Sequence, residues 1–317
     1  MNEGLLYLAP MEGVVDWVLR DVLTSIGGID RCVTEFIRVT DELVPKKVFY
    51  RYCPELKTNS RTRAGTPVFV QLLGGHPQPL AENAARAVEL GACGIDINFG
   101  CPAKLVNKND GGASLLQFPD RIYSILSTIR AAIPQAIPLT AKIRLGIDRP
   151  EMCIANAQAA QAAGVELLTV HCRTKKDMYK PPAFWEWIPK IKEKTNMRIV
   201  ANGDIWTRED YLRCKEVTGC TDFMIGRGAL GNPFIFRQAR GESLTADWSR
   251  LKHLLPGFFD ASALYKGEMF AQCRTKQWLE QMARRNPDAA ETFQELKRET
   301  LPEIFRRKLG DAQTPAP

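Results

Sequence analysis

The chain has 317 residues, 45% apolar and 25% charged, an ordinary globular composition with enough apolar mass for a large core. A formal net charge of +7 and a pI near 8.9 suit a polyanionic partner and suit plain solubility equally, so neither is excluded. No run approaches the roughly 18 apolar residues of a membrane helix, and the opening "MNEGLLYLAPMEG" has too short an apolar stretch for a signal peptide; a cytoplasmic protein, monomeric and without membrane contact, is the expectation.

Short apolar runs alternate with longer helical patterns along most of the chain. The runs are "LLYLA" (5–9), "CVTEF" (32–36), "PVFVQLL" (67–73), "GIDIN" (94–98), "PLTAKIR" (138–144), "ELLTVH" (166–171), "RIVAN" (198–202) and "DFMIG" (222–226). Amphipathic stretches lie between them, among them 79–91, 119–133 and 152–164. Strands separated by helices pair in parallel, because each return crossing needs a helix. Eight such units predict a (β/α)8 TIM barrel over 1–244. The competing open doubly wound sheet wants a glycine-rich dinucleotide fingerprint after an early strand, and no GxGxxG follows one; no Walker motif is present.

Beyond 245 the alternation stops. "WSRLKHLLPGFFDASALYKG", "MFAQCRTKQWLEQMARR" and "DAAETFQELKRETLPEIFRRKLG" read as helices with no strand between them. A small all-helical C-terminal domain is predicted over 245–311, with a frayed tail at 312–317.

Nine cysteines, an odd number with no CxxC, and only three histidines argue for reduced thiols and against a disulfide framework or a metal site. The residues that end the predicted strands are more informative, since barrel chemistry sits at the C-terminal ends. They are Pro10-Met11-Glu12, Glu35 and Arg38, Gln71, Asn98 and Cys101, Lys142 and Arg144, His171 and Arg173, Asn202-Gly203-Asp204, and Gly226-Arg227-Gly228. Each has a bland reading as a solvated strand end or a satisfied core group; their convergence at one end of eight strands does not.

The last two units, "ANGDI" and "IGRGAL", fit a phosphate grip. Glycines let backbone N–H groups approach an anion, and Arg227 adds a forked charged donor. Lys142 at the mouth could stabilise an anionic reduced flavin, and Gln71 could offer its amide to the pyrimidine edge of that ring. A phosphate grip, a mouth lysine and no nicotinamide fingerprint after an early strand favour FMN as resident cofactor.

These residues carry a family resemblance. "LAPMEGVVD", "TEFIRV", "VQLLGG", "DINFGCPAKLV" with a downstream "GGA", "AKIRLG", "HCRT", "ANGDI" and "IGRGAL" resemble the flavin-dependent tRNA-dihydrouridine synthases over nearly the whole chain. "APMEGV", "RYCPEL" (51–56) and "RTKQWL" (274–279) resemble the bacterial C-type subfamily, which reduces uridine 16 of tRNA. The resemblance implies FMN contacts from Pro10, Met11, Glu12, Gln71, Lys142 and His171, a phosphate grip from Asn202, Gly203, Asp204, Gly226 and Arg227, and NADPH as transient reductant. It implies Cys101 as the catalytic proton donor, Asn98 beside the target uracil, and Arg38, Arg173 and Tyr179 as barrel-side RNA contacts. Arg274, Lys276, Gln281 and Lys297 would orient the tRNA from the helical domain. Phe99 and Cys172 depart from the commoner family residues, and Phe99 is expected to face away from the site.

The chemistry requires an acid. Reducing the uracil 5,6 double bond takes a hydride and a proton, and a thiol with a pKa of about 8.5 is protonated at neutral pH yet able to release its proton. A dihydrouridine loop suits base extrusion, which costs less from a loop than from a duplex. Charge over 246–317 is close to balanced, so any RNA grip there must come from patches. Alternatives stay open: reduction at another loop position such as uridine 20, a dihydroorotate dehydrogenase-like enzyme acting on a free pyrimidine, or a non-catalytic RNA-binding barrel.

Overall fold

A computed structural model describes residues 4–108 and 110–310. The strands are β1 (Leu6–Leu8), β2 (Arg31–Val33), β3 (Ile37–Arg38), β4 (Val68–Leu73), β5 (Ile95–Asn98), β6 (Leu139–Arg144), β7 (Leu167–His171), β8 (Arg198–Asn202) and β9 (Asp222–Ile225). Their order is β2-β1-β9-β8-β7-β6-β5-β4-β3, and an additional β2–β4 pairing closes the sheet on itself. Every strand pairing is parallel. The predicted TIM barrel is the observed fold, because β2 and β3 together form one stave.

That stave corrects the single predicted strand at 32–36. Thr34 N donates to the Phe69 carbonyl at 2.9 Å, and the Thr34 hydroxyl then accepts from Gln71 N at 3.0 Å. A side-chain oxygen thus takes the place of a ladder carbonyl. The chain leaves the regular strand over Thr34–Phe36 and sends Glu35 to the barrel mouth.

Strand periodicity separates two apolar clusters. Val68, Val70 and Leu72, Ile95 and Ile97, and Ala141 and Ile143 face outward into the main core against the surrounding helices. Tyr7, Ala9, Val33, Phe69, Leu167, Val200 and Met224 face inward and form a separate cluster within the barrel. Toward the C-terminal ends, the inward positions on β4 to β8 turn polar: Gln71, Asp96, Asn98, Thr140, Lys142, His171 and Asn202. The barrel therefore has an apolar floor and a polar mouth.

No strand follows β9 among the described residues, and the chain ends in helices Trp248–Leu251, Leu254–Lys266, Glu268–Ala283, Pro287–Leu296 and Pro302–Leu309. Two of the three predicted helical stretches are broken. Pro302 occupies the first turn of a new helix, and Leu301 before it is extended (φ −91°, ψ 113°), as the residue preceding proline favours. These helices pack on the barrel through Trp278, whose indole N–H donates to the Leu230 carbonyl at 3.1 Å and whose ring meets Phe258 edge-on at 5.0 Å. The predicted tail, 312–317, lies outside the described residues.

Candidate active site

The C-terminal strand ends enclose a cavity of about 450 Å³. Of the expected cofactor residues, Pro10, Met11, Glu12, Gln71, Lys142, His171, Asn202, Gly203, Asp204, Gly226 and Arg227 all line it, as do Cys101, Asn98, Arg173, Tyr179 and Gln281. Arg38, Arg274, Lys276 and Lys297 are not part of its lining. Trp206 and Arg284 join the cavity without having been singled out as site residues, and Asp96 lies beneath it.

Cys101 follows β5 in a turn held from several sides. Its carbonyl accepts from Ala113 N at 3.0 Å and from Asn107 Nδ2 at 2.9 Å. Arg144 Nε donates to the Gly100 carbonyl at 2.9 Å. Gly112 explains part of the "GGA" signal: its φ is +62°, and a Cβ there would lie 2.8 Å from the Cys101 carbonyl oxygen. Burial raises the Cys101 thiol above its ordinary pKa, with Glu12 adding to the rise, while a backbone N–H and Arg144 oppose it. The thiol keeps its proton at neutral pH.

Glu12 itself is pushed up to about 7, by loss of hydration and by the neighbouring Glu35 carboxylate. Glu35 is also raised by burial, although it accepts a hydrogen bond from Gly13 N.

Lys142 brings a cation into the interior. Its Nζ donates to Asn202 Oδ1 at 3.0 Å, and Asn202 Nδ2 donates to the Met224 carbonyl at 2.8 Å, which fixes that amide. Burial, with repulsion from Arg144, lowers Lys142 to about 8 against the pull of Asp96. His171 is held well below its ordinary range by burial and by Arg144, Lys142, Arg173 and Arg227, so it is neutral. Its Nε2 faces Arg173 Nη1 at 3.1 Å.

At the β8 and β9 ends the backbone opens. Gly203 has φ +128° and Asp204 φ +51°. Arg173, fully buried, binds the Asp204 carboxylate and donates to the Lys180 carbonyl at 2.6 Å. Arg227 starts the helix Arg227–Gly231, lies 3.7 Å from Asp204 and donates to the Tyr179 carbonyl at 3.2 Å. Its guanidinium lies over the Trp206 ring at 5.0 Å. Gly228 is required by packing, since a Cβ there would fall 2.1 Å from the Ile205 carbonyl oxygen. Backbone N–H groups at a helix start, two glycines and clustered arginines stand together at this end of the cavity.

The residues outside the cavity are variously engaged. Arg274 is buried and donates to the carbonyls of Gly13, at 2.8 Å, and of Val14. Lys276 donates to the Glu299 carbonyl and lies over the Phe305 ring at 5.5 Å. Lys297 is exposed and bonds Gln294 beside it. Phe99 is buried in the outer core, as expected. Among the described residues no cluster of His, Cys, Asp and Glu could hold a metal, and no helix is long and apolar enough to cross a membrane.

A closed parallel barrel whose mouth joins a thiol, a half-buried lysine and an arginine beside a glycine turn defines a (β/α)8 protein with a polar cavity at the C-terminal strand ends. The family described as dihydrouridine synthase matches residues 7–309, and the chain belongs to that family, one of flavin-dependent oxidoreductases. The chain is 47% identical over 297 residues to a tRNA-dihydrouridine(16) synthase of Aquipseudomonas alcaligenes, covering 92% of this chain and 94% of the relative. It is 45% identical over 306 residues to one of Shewanella oneidensis, covering 96% and 97%. Among solved structures, the old yellow enzyme homologue from Zymomonas mobilis is similar at a TM-score of 0.54 and 13% identity, over 75% of this chain and 89% of that one. Histamine dehydrogenase from Rhizobium sp. 4-9 is similar at 0.57 and 12%, over 81% and 48%. These two likenesses establish the barrel fold.

Proposed function

We propose that this protein reduces uridine 16 in the dihydrouridine loop of tRNA to 5,6-dihydrouridine, with FMN as resident cofactor and NADPH as reductant. The observation that carries the reading is the meeting, in one cavity, of the Cys101 thiol, the Lys142 ammonium and the glycine-arginine grip.

The residues fit FMN. The cavity is within the usual size of small-molecule sites, about 300–1,000 Å³. Lys142 is a half-buried cation whose hydrogen bond goes to a neutral amide, and a charge drawn out of water gains from an anionic or electron-rich neighbour. Asn202, Gly203, Asp204, Gly226 and Arg227 would hold the phosphate; Pro10, Met11, Glu12, Gln71, Lys142 and His171 would hold the ring system.

FMN held by these residues would, when reduced, supply the hydride that saturation of the uracil 5,6 double bond requires. Cys101 delivers the proton from Sγ to C5, and its raised pKa keeps that proton in place until the ring needs it. Asn98 sits beside the uracil, and Lys142 holds a positive charge where negative charge builds. Tyr179, about half exposed at the rim, offers a stacking face for an extruded base, with Arg144 beneath its ring at 5.1 Å.

The helices beyond 245 act as a tRNA-binding domain, with Lys276, Gln281 and Lys297 as contacts, Arg38 on the barrel side, and Arg274 setting the helix against the mouth; Arg173, expected beside them, is fully buried against Asp204 and serves the cavity wall instead.

The test is direct. Purified protein should carry FMN released by denaturation and should oxidise NADPH with tRNA lacking dihydrouridine, the new dihydrouridine mapping to position 16. Activity with orotate or dihydroorotate in place of tRNA, or the absence of flavin, would overturn the reading.

A further inference from the structure

A chain of four groups runs from the barrel interior to the turn that carries Cys101. Asp96, 2% exposed, accepts from Gln71 Nε2 at 2.7 Å on Oδ2 and from the Thr140 hydroxyl at 2.5 Å on Oδ1. Gln71 Oε1 accepts from Asn98 Nδ2 at 2.9 Å. Asn98 Oδ1 accepts from Gly100 N at 2.8 Å. An ionised carboxylate can only accept and a backbone N–H can only donate, so the two ends impose one direction on both amides between them. Each amide has two N–H groups and one oxygen. In this arrangement both oxygens are consumed inside the relay, and each amide keeps one N–H beyond it. Gln71 and Asn98 both line the cavity.

We propose that Asp96 is a positioning residue. As the acceptor end of the Asp96–Gln71–Asn98–Gly100 relay, it makes Gln71 and Asn98 present N–H donors to the deep mouth while their oxygens are engaged within the relay. It selects ring carbonyls and braces the turn before Cys101. The relay rests on the reading above for the identity of its ligands, and it deepens that reading. A uracil ring and an isoalloxazine ring both carry carbonyls; an amino group in the same place, as on cytosine, would meet donor against donor. Burial raises the Asp96 carboxyl above its ordinary range, and the hydrogen bonds from Thr140 and Gln71, with Lys142 and Arg31, pull against that rise.

The direction of the relay can be reversed on purpose. Gln71→Glu sets carboxylate against carboxylate at Asp96 and replaces the free N–H with an oxygen. Adding Asp96→Asn gives the new carboxylate at position 71 two amide donors, from positions 96 and 98. It restores the Asn98–Gly100 end without restoring the Gln71 donor. Thr140→Val removes the other hydrogen bond to Asp96 and leaves the relay alone. FMN affinity is read by fluorescence on reconstituted protein, and tRNA turnover at saturating FMN.

Gln71→Glu should lose about tenfold or more in FMN affinity and in turnover, the worth of a hydrogen bond to a charged group. The double variant should recover turnover to the level of Asp96→Asn, within about twofold, while FMN affinity stays weak. Thr140→Val should keep both, whatever it loses in melting temperature. A double variant no better than Gln71→Glu would overturn the relay, as would a Thr140→Val loss equal to that of Gln71→Glu. Should Gln71→Glu not fold, the double variant against Asp96→Asn carries the same comparison. Wild-type protein without FMN or tRNA activity would count against the proposed function instead.

Discussion

Arg274 closes on Asp16 across the seam between the C-terminal helices and the barrel, Nη2 to Oδ2 at 3.2 Å. Asp16 is also the N-cap of the helix Trp17–Ile26, accepting from Leu19 N at 3.0 Å. One carboxylate thus starts a barrel helix and receives the C-terminal helices. The loop it anchors carries Met11 and Glu12, both on the cavity wall. Arg274→Ala should destabilise the protein by about 2–3 kcal/mol, below the full cost of breaking a wholly buried pair because the contact is partly open. It should also weaken flavin retention without touching the cavity. Arg274→Lys keeps the charge but not the fork and should fall between. Denaturant midpoints and FMN release rates check both.

The Cys101 thiol should alkylate slowly at neutral pH. Its pKa is raised by burial and by Glu12, so the reactive thiolate appears only above the ordinary thiol range. Glu12→Gln removes one source of that rise and should shift the alkylation profile to lower pH, as followed by mass spectrometry at this cysteine. Cys101→Ala should keep bound flavin and tRNA while turnover falls by about 10²–10⁴, the usual worth of a general acid. Near-normal turnover would remove Cys101 from the mechanism.

Lys142 gives a pH dependence with a definite sign. Lysine in the unfolded chain holds its proton to about 10.4, whereas Lys142 in the folded, ligand-free protein releases it near 8. Its buried charge opposes folding below that point. The ligand-free protein should therefore gain stability as pH rises from about 8 toward about 10.4. FMN affinity, which draws on the charge, should fall over the same rise. Fluorescence titrations between about pH 7 and pH 9.5 measure this, and Lys142→Met should flatten the dependence while lowering affinity throughout.

Gly112→Ala tests the backing of the catalytic turn. The new Cβ would meet the Cys101 carbonyl at 2.8 Å and stand on a residue with φ +62°. A cost of about 1–3 kcal/mol is expected, with a fall in turnover larger than any change in flavin affinity. Gly65→Ala, also at positive φ but with no atom within 4 Å of the added Cβ, separates backbone strain from contact.

Much of the site is legible in the sequence because a parallel barrel turns chain order into geometry. With the eight runs as staves, Lys142, His171, Asn202 and Gly226 have to stand at one rim. Period-two alternation then tells inward from outward, as "GIDIN" does with Ile95 and Ile97 outside and Asp96 and Asn98 inside. The role of Asp96 is hidden because it depends on Gln71 and Thr140 on the flanking strands, which local pattern does not connect. Trp206 is hidden because one aromatic residue after "ANGDI" has no periodic signature. The split second stave depends on the Thr34 hydroxyl substituting for a carbonyl, a tertiary choice. The enclosed position of Arg274 depends on where the C-terminal helices dock, and helical periodicity reports a face without naming its partner.

The inward apolar cluster of Tyr7, Val33, Phe69, Leu167, Val200 and Met224 has a kinetic consequence. Among the described residues it fills the barrel floor and leaves the rim as the door to the cavity. Under the proposed chemistry, whatever reduces the enzyme and whatever it reduces must use that door one after the other. Double-reciprocal plots for the two should then run parallel, and each should compete with the other at high concentration.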